Sequence, residues 1–218
     1  MIKALPYFKQ ETSASCSLAV LRMVLASCGI EVSEKELIAK VRLDYRADFS
    51  NIWNPTIAKL AVEYGIQTTM YALWPLFKPE LTLQALKEFR ANPEGMNINK
   101  YENPNDSESL PEPLSLAYKE MFLAIEKGCK TVYGGLTEKR LTALLNEGFL
   151  IQTSVKLHKL YPAKKKGFHS ILIYKHSGDG IEYHDPYHGE GLRCTAKHLL
   201  TATNGVGAFM AYKRVNKG

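Results

Sequence analysis

Cysteine is scarce in this sequence, with four in 218 residues. They form no CxxC pair, which excludes a disulfide scaffold and a zinc ribbon. No apolar run approaches the ~20 residues that cross a bilayer, so no membrane association is expected. The N-terminus, MIKALPYFKQ, lacks the apolar core of a secretory signal, and a cytoplasmic protein is the expectation. Repeats and low-complexity segments are missing too. So is a basic stripe interleaved with aromatics. Lys and Arg number 28 against 22 Asp and Glu, a net +6, but they read as scattered along the chain. The one dense run, Lys164-Lys165-Lys166 beside Lys156 and Lys159, reads as a solvated loop, so nucleic acid is not an expected partner.

What remains is ordinary globular composition, 45% apolar and 23% charged. A chain of this size buries roughly 70% of its unfolded surface, enough for one substantial domain. We read residues 1–218 as that single domain, with a helical and loop insertion at about 75–130. The first half is mainly helical. Leu18, Leu21, Val24 and Leu25 lie at helical spacing over residues 13–27, and Gly29 offers a left-handed stop. Ser33 to Glu36 spells a capping box that opens a helix reaching about Leu43. Pro55 starts a third helix that stops at Gly65, and residues 66–73 look extended. Residues 83–90 and 114–127 are helical, separated by a polar loop or flap over 92–113.

The period then changes. Thr137 caps a helix through about Asn146, and Gly148 ends it. Residues 149–155, 170–174, 181–183 and 208–212 read as strands, with Ser177-Gly178-Asp179-Gly180 as a hairpin turn. Helices followed by an antiparallel sheet predict an α+β domain.

Cys16 falls in the first turn of the first predicted helix. Backbone N–H groups without acceptors and the positive end of the helix dipole favour a thiolate there, the nucleophilic form. The Cys16 N–H is suited to holding an oxyanion, and Gln10, six residues earlier, supplies a second donor. A lone cysteine of this kind is ordinarily a small buried apolar residue, so the reading depends on a base and a group to orient it. His169 opens the most apolar strand, which aims a side chain reproducibly. Asp185 follows the hairpin and, given a modest stagger, comes to rest beside His169 at the same end of the sheet.

These residues carry a resemblance. Pro6-Tyr7-Phe8-Lys9-Gln10, then Cys16, then Leu21-Arg22-Met23-Val24-Leu25 resembles the opening of peptidase C39-like domains of the papain-like superfamily. The stretch from Gly167 to Pro186 resembles that family's closing motif. The resemblance implies a papain-like cysteine protease fold, with a helical part carrying the cysteine packed on an antiparallel sheet carrying His and Asp. It also implies roles: Cys16 as nucleophile, His169 as base, Asp185 as orienting residue and Gln10 as oxyanion donor. Ser15 and Ser17-Leu18 stand where the family commonly has Asp before the cysteine and Gly-Pro after it. A weaker similarity links the Gln-to-Cys spacing to phytochelatin synthases, which are transpeptidases.

Other constellations carry less. His184, Asp185, His188 and Cys194 fit no common zinc spacing, so neither metal nor cofactor is expected. Gly134-Gly135 lacks the lysine of a phosphate loop. Trp53, Tyr71, Trp74 and Phe77 read as packing, although Trp74 to Phe77 adjoins the middle segment and suits the wall of a groove. The expected function is that of a cysteine peptidase or amidase-type hydrolase acting on a peptide-like amide or thioester. An acyl or peptidyl transferase using the same residues, and a binding module that keeps the fold without turnover, are the alternatives.

Overall fold

The computed structural model describes residues 5–41, 54–93, 95, 96, 98, 101, 112–162, 164, 166–178, 180–203 and 208–213. The first helix, α1 (Cys16–Ser27), begins three residues later than its apolar spacing predicts. Thr12 and Ser15 close a turn that holds Ser13 and Ala14 out of it. Leu18, Val20, Leu21, Met23, Val24 and Leu25 are all fully buried, so the helix is enclosed on every side rather than along one stripe. Each large side chain buried this way stabilises the fold by roughly 1.5–3 kcal/mol.

The capping box exists. The Ser33 hydroxyl accepts from the Glu36 N–H at 3.2 Å, and Glu36 Oε2 accepts from the Ser33 N–H at 2.7 Å. It opens α2 (Glu34–Lys40); the predicted end near Leu43 lies outside the described residues. The next elements are α3 (Asn54–Glu63), β1 (Gln67–Ala72), α4 (Pro79–Ala91), α5 (Glu112–Glu126) and β2 (Lys130–Tyr133). Gly29 and Gly65, at φ 77° and 78°, end α1 and α3 in the left-handed region that glycine enters without a Cβ penalty. Most of the expected 92–113 loop lies outside the described residues, but Ile98 and Tyr101 are buried in the core.

The second half supplies α6 (Glu138–Asn146), β3 (Phe149–Lys156), α7 (Leu157–Leu160), β4 (Phe168–Ser177), β5 (Gly180–Asp185), β6 (Gly189–Thr195), α8 (Ala196–Thr203) and β7 (Ala208–Lys213). The Thr137 hydroxyl caps α6 by accepting from the Arg140 N–H at 3.2 Å. All seven strands join one sheet in the order β2-β1-β7-β3-β4-β5-β6. Among the described strands only β1 and β2 pair in parallel, and β1 lies in the half of the chain that reads as mainly helical. The α+β class stands, with a mixed sheet that reaches into the N-terminal half.

Alternation along the central strands divides the core. Leu150, Leu172, Met210 and Tyr212 face one cluster with α1, α3, α4 and α5, while Ile151, Ile171, Ile173, Phe209 and Ala211 face a second with α6 and α8. Helix α1 packs on β4, and this brings the start of the one to the start of the other. Among the described residues no helix is long and apolar enough to cross a membrane.

Candidate active site

Cys16 is the first residue of α1, where the leading N–H groups have no acceptor within the helix. Its thiol interacts electrostatically with the imidazole of His169, the second residue of β4. Burial alone pushes the thiol up. The hydrogen bond and charge of His169, the Ser170 N–H and the Ser17 hydroxyl outweigh it, and the pKa falls below the ordinary thiol value. The other cysteines contrast with this. Burial pushes Cys129 up to about 12 and Cys194 up to about 11.

On the far side of the ring, His169 Nε2 donates to Asp185 Oδ1 at 2.7 Å, which leaves Nδ1 for the sulfur. Burial works against a charged imidazole, but the bonds and charges of Asp185 and Cys16 prevail and raise His169 to about 9. Asp185 is fully buried and fully satisfied. Oδ1 also accepts from the N–H groups of Tyr187 and His188, at 2.8 and 2.9 Å, while Oδ2 accepts from the Tyr161 hydroxyl at 2.8 Å and from His188 Nδ1 at 3.0 Å. Burial pushes this carboxyl up, yet the His169 bond and charge and the two N–H groups hold it well below the usual carboxylate range.

Gln10 reaches the same end of the sheet. Its N–H donates to the Pro186 carbonyl at 3.0 Å, beside the turn that follows Asp185. Its Nε2 donates to Thr12 O at 2.7 Å, and Oε1 is buried without a partner. One of the two amide protons therefore stays available. The four residues singled out from the sequence thus lie toward one end of the sheet, with His169 hydrogen-bonded to Asp185 and in electrostatic interaction with Cys16, and Gln10 tied to the turn after Asp185.

Sequence reasoning missed four supporting side chains. Tyr161 sits after the short helix α7 and grips Asp185. His188 stacks on Tyr161 with ring centroids 4.2 Å apart, and its Nε2 is buried without a partner. The Tyr7 hydroxyl donates to Asp185 O at 3.2 Å. Gln152, fully buried on β3, donates to Ser17 O and to Ser170 Oγ. Each is a single polar residue whose role depends on a distant partner, and no periodic signal marks it.

The metal grouping also differs from the one weighed in the sequence. His184 uses both ring nitrogens structurally, with Nε2 on Leu5 O at 3.3 Å and Nδ1 accepting from the Gly191 N–H at 3.0 Å. His169, Asp185 and His188 do offer ligand atoms within 4.8 Å of one another. Those atoms already serve the hydrogen bonds around Asp185.

No protein-family model matches this chain, and no curated protein matches it. Among solved structures, a protein described as a C39-like peptidase from Bacillus anthracis superposes with a TM-score of 0.51 at 13% identity, over 98% of this chain and 96% of that one. A double glycine motif protease from an AMS/PCAT transporter, solved with the leader peptide, aligns with a TM-score of 0.46 at 14% identity, over 96% of this chain and 91% of that one. Taken with the sheet and helices described above, the first of these likenesses establishes that the chain has the α+β fold of the C39-like, papain-like peptidases.

Proposed function

We propose that the protein is a cysteine-dependent hydrolase of peptidase or amidase type, with Cys16 as nucleophile, His169 as acid and base, and Asp185 as the orienting group. One observation carries this reading: the imidazole of His169, held at 2.7 Å by a fully satisfied Asp185, acts electrostatically on the Cys16 thiol and lowers it. The thiolate attacks an acyl carbon, and the carbonyl oxygen becomes an oxyanion. The Cys16 N–H and the free proton of Gln10 Nε2 are the donors for that oxyanion. His169 Nδ1–H then protonates the leaving amine or thiol as the acyl–nitrogen or acyl–sulfur bond breaks, leaving a thioester on Cys16. The neutral imidazole next takes a proton from water, the hydroxide attacks the thioester, and the acid and the thiolate are released.

The departures around Cys16 fit turnover rather than its loss. Ser17 supplies a hydroxyl that lowers the thiol, and Ser15 secures the turn before it. The 75–130 region belongs to the same single domain in this reading, since Leu86, Phe89, Met121 and Phe122 share one core cluster with α1. The substrate is a peptide or a small peptide-like acyl compound.

The test is iodoacetamide labelling of the native protein at about pH 6, where an ordinary thiol is almost wholly protonated. Cys16 should label first and His169→Ala should slow it. Labelling at the rate of Cys129 would remove the basis of the proposal. Screening peptide amides and thioesters with and without an added amine acceptor then separates hydrolysis from transfer.

A further inference from the structure

The positive charge of this protein has one address. Residues 148–178 contain no Asp or Glu but six lysines, at 156, 159, 164, 165, 166 and 175. Removing those six from the 28 basic residues leaves 22, equal to the 22 acidic residues, so the stretch that contains His169 accounts for the whole net +6. Outside that stretch basic and acidic residues are equal in number, 22 of each. Lys175 is answered by Glu182 at 3.2 Å. Lys156, Lys159, Lys164 and Lys166 form no ion pair with a described residue, and the last three are exposed.

These lysines ride on a fixed arm. The Leu157 N–H donates to Gly167 O at 2.9 Å and closes its base, and the Lys164 N–H donates to Tyr161 O at 2.9 Å. Leu160 is buried in the second core cluster, and its carbonyl meets His198 Nε2 at 3.1 Å. The Tyr161 hydroxyl donates to Asp185 Oδ2. The arm is thus pinned at its middle to the carboxylate that holds His169, and it leads directly into exposed Phe168 and then His169. A cluster of one sign over a low-dielectric body raises the local concentration of opposite charge beside it.

Resting on the hydrolase reading above, we infer that Lys156, Lys159, Lys164 and Lys166 on this arm form a docking surface for acidic side chains of the peptide substrate, on the side of His169. Every basic residue of the arm is lysine. Arginine is the residue suited to the two-pronged grip on phosphate, whereas lysine point charges suit carboxylates spaced along a flexible peptide. The arm borders a thiol whose chemistry requires an acyl carbon, which a peptide provides and a nucleic acid does not.

The probes are a fluorescein-labelled hexaglutamate peptide, its hexaglutamine twin and a labelled single-stranded RNA of similar length. At low ionic strength hexaglutamate should bind roughly tenfold more tightly than its twin and slow the iodoacetamide labelling of Cys16. The preference should collapse in molar salt, where the Debye length is about 3 Å. Lys159→Gln, Lys164→Gln and Lys166→Gln together should abolish it. The matched triple Lys35→Gln, Lys87→Gln and Lys139→Gln removes the same charge from α2, α4 and α6, and it should leave the preference intact. Circular dichroism verifies that both triples are folded.

Equal binding of the two peptides overturns the inference, and so does equal loss in both triples. RNA binding tighter than hexaglutamate, lost in the arm triple and without protection of Cys16, reassigns the arm to nucleic acid and overturns it too. A failure of the hydrolase reading is separately visible. It shows as Cys16 labelling no faster than Cys129 in the absence of any peptide, whereas fast Cys16 labelling without acidic preference sinks the arm alone.

Discussion

Gln152 Nε2 stands 3.2 Å from the carbonyl oxygen of Ser17, the residue that follows Cys16. The same nitrogen donates to Ser170 Oγ at 3.0 Å, next to His169, while Oε1 accepts from the Tyr212 hydroxyl at 2.7 Å. One fully buried amide on β3 therefore ties the helix of Cys16 to the strand of His169 with both of its protons. Gln152→Leu leaves the Tyr212 and Ser170 hydroxyls underused and should cost roughly 1–3 kcal/mol of stability. If Gln152 positions the pair, the pH midpoint for Cys16 alkylation should also move upward. Tyr212→Phe serves as the control, since it loses a hydrogen bond without freeing α1 from β4. A Gln152→Leu protein that is less stable but keeps the wild-type midpoint would show a purely structural role.

The coupling of Cys16 to His169 makes a specific statement about stability and pH. His169 is raised from 6.5 to about 9, so alone it stabilises the folded state fully below 6.5 and loses that contribution as pH rises to about 9. Cys16 is lowered, so its contribution runs the other way, growing as pH rises above its folded value. Over the range up to about 9 in which the folded thiol is ionised and His169 still protonated, the folded pair holds one proton on His169, and above 6.5 the unfolded chain holds one on the thiol. The two slopes cancel there. Wild-type melting temperature should be flat across that window as far as this pair is concerned, whereas Cys16→Ser should decline across it because only the His169 contribution remains. A flat Cys16→Ser profile would show that Asp185 alone does not hold the imidazole charged.

In the proposed mechanism the same geometry sets the alkaline limit of turnover. The leaving group needs the proton on His169, so the rate should fall as pH passes about 9. Asp185→Asn removes the anion whose hydrogen bond and charge raise His169, and the limb should move down toward the ordinary histidine value. The rate should also drop by orders of magnitude, because an amide held by the Tyr187 and His188 N–H groups no longer selects the ring orientation. An unmoved limb would assign it to some other group.

Oδ2 of Asp185 is held twice, by Tyr161 at 2.8 Å and by His188 at 3.0 Å. Either partner alone can keep that oxygen satisfied. Tyr161→Phe and His188→Phe should each reduce turnover only a few-fold, and the double variant should lose more than the product of the two. Strict additivity would mean that the two residues act independently of the carboxylate they share.

What the sequence made legible was what repeats locally or stands at an element's end. Apolar spacing located α1, Pro55 and Gly65 bounded α3, Ser33 and Thr137 marked the caps of α2 and α6, and the hairpin turn placed His169 and Asp185 toward one end of the sheet. Strand β6 escaped because Gly189, Glu190, Gly191 and Arg193 break its alternation, and it is half exposed at the sheet edge. Strand β2 escaped because it is four residues long and borrows its order from β1. Helix α8 buries Ala196, Leu199, Ala202 and Thr203, too short and too small a stripe to stand out. Gln152, Tyr161 and His188 act across 135, 24 and 3 residues of sequence, and only the fold decides which polar residue finds which partner. The charge was countable from the start. Its asymmetry emerges only when missing acids are counted along with the lysines present.

Ser15 bears on the difference from the family pattern, in which Asp commonly occupies this place. Its hydroxyl accepts from the Thr12 N–H at 3.0 Å and the Thr12 hydroxyl at 2.9 Å, and it donates to the Thr12 carbonyl at 3.0 Å. That carbonyl also receives Gln10 Nε2 at 2.7 Å, so Ser15 and Gln10 share one anchor on the turn before Cys16. A carboxylate accepts but does not donate, so Ser15→Asp would keep two of these bonds and set an anion against the Thr12 carbonyl. Buried one residue from the thiol, that anion should also oppose thiolate formation. Ser15→Asp should therefore lower the melting temperature and raise the pH midpoint of Cys16 alkylation, whereas Ser15→Ala should lower the melting temperature and shift the midpoint little. Both variants should reduce turnover, because a loosened turn frees Gln10, the proposed oxyanion donor, from the Thr12 carbonyl. Wild-type turnover in Ser15→Ala, despite a clear loss of stability, would separate the turn from the chemistry and remove Gln10 from the oxyanion site.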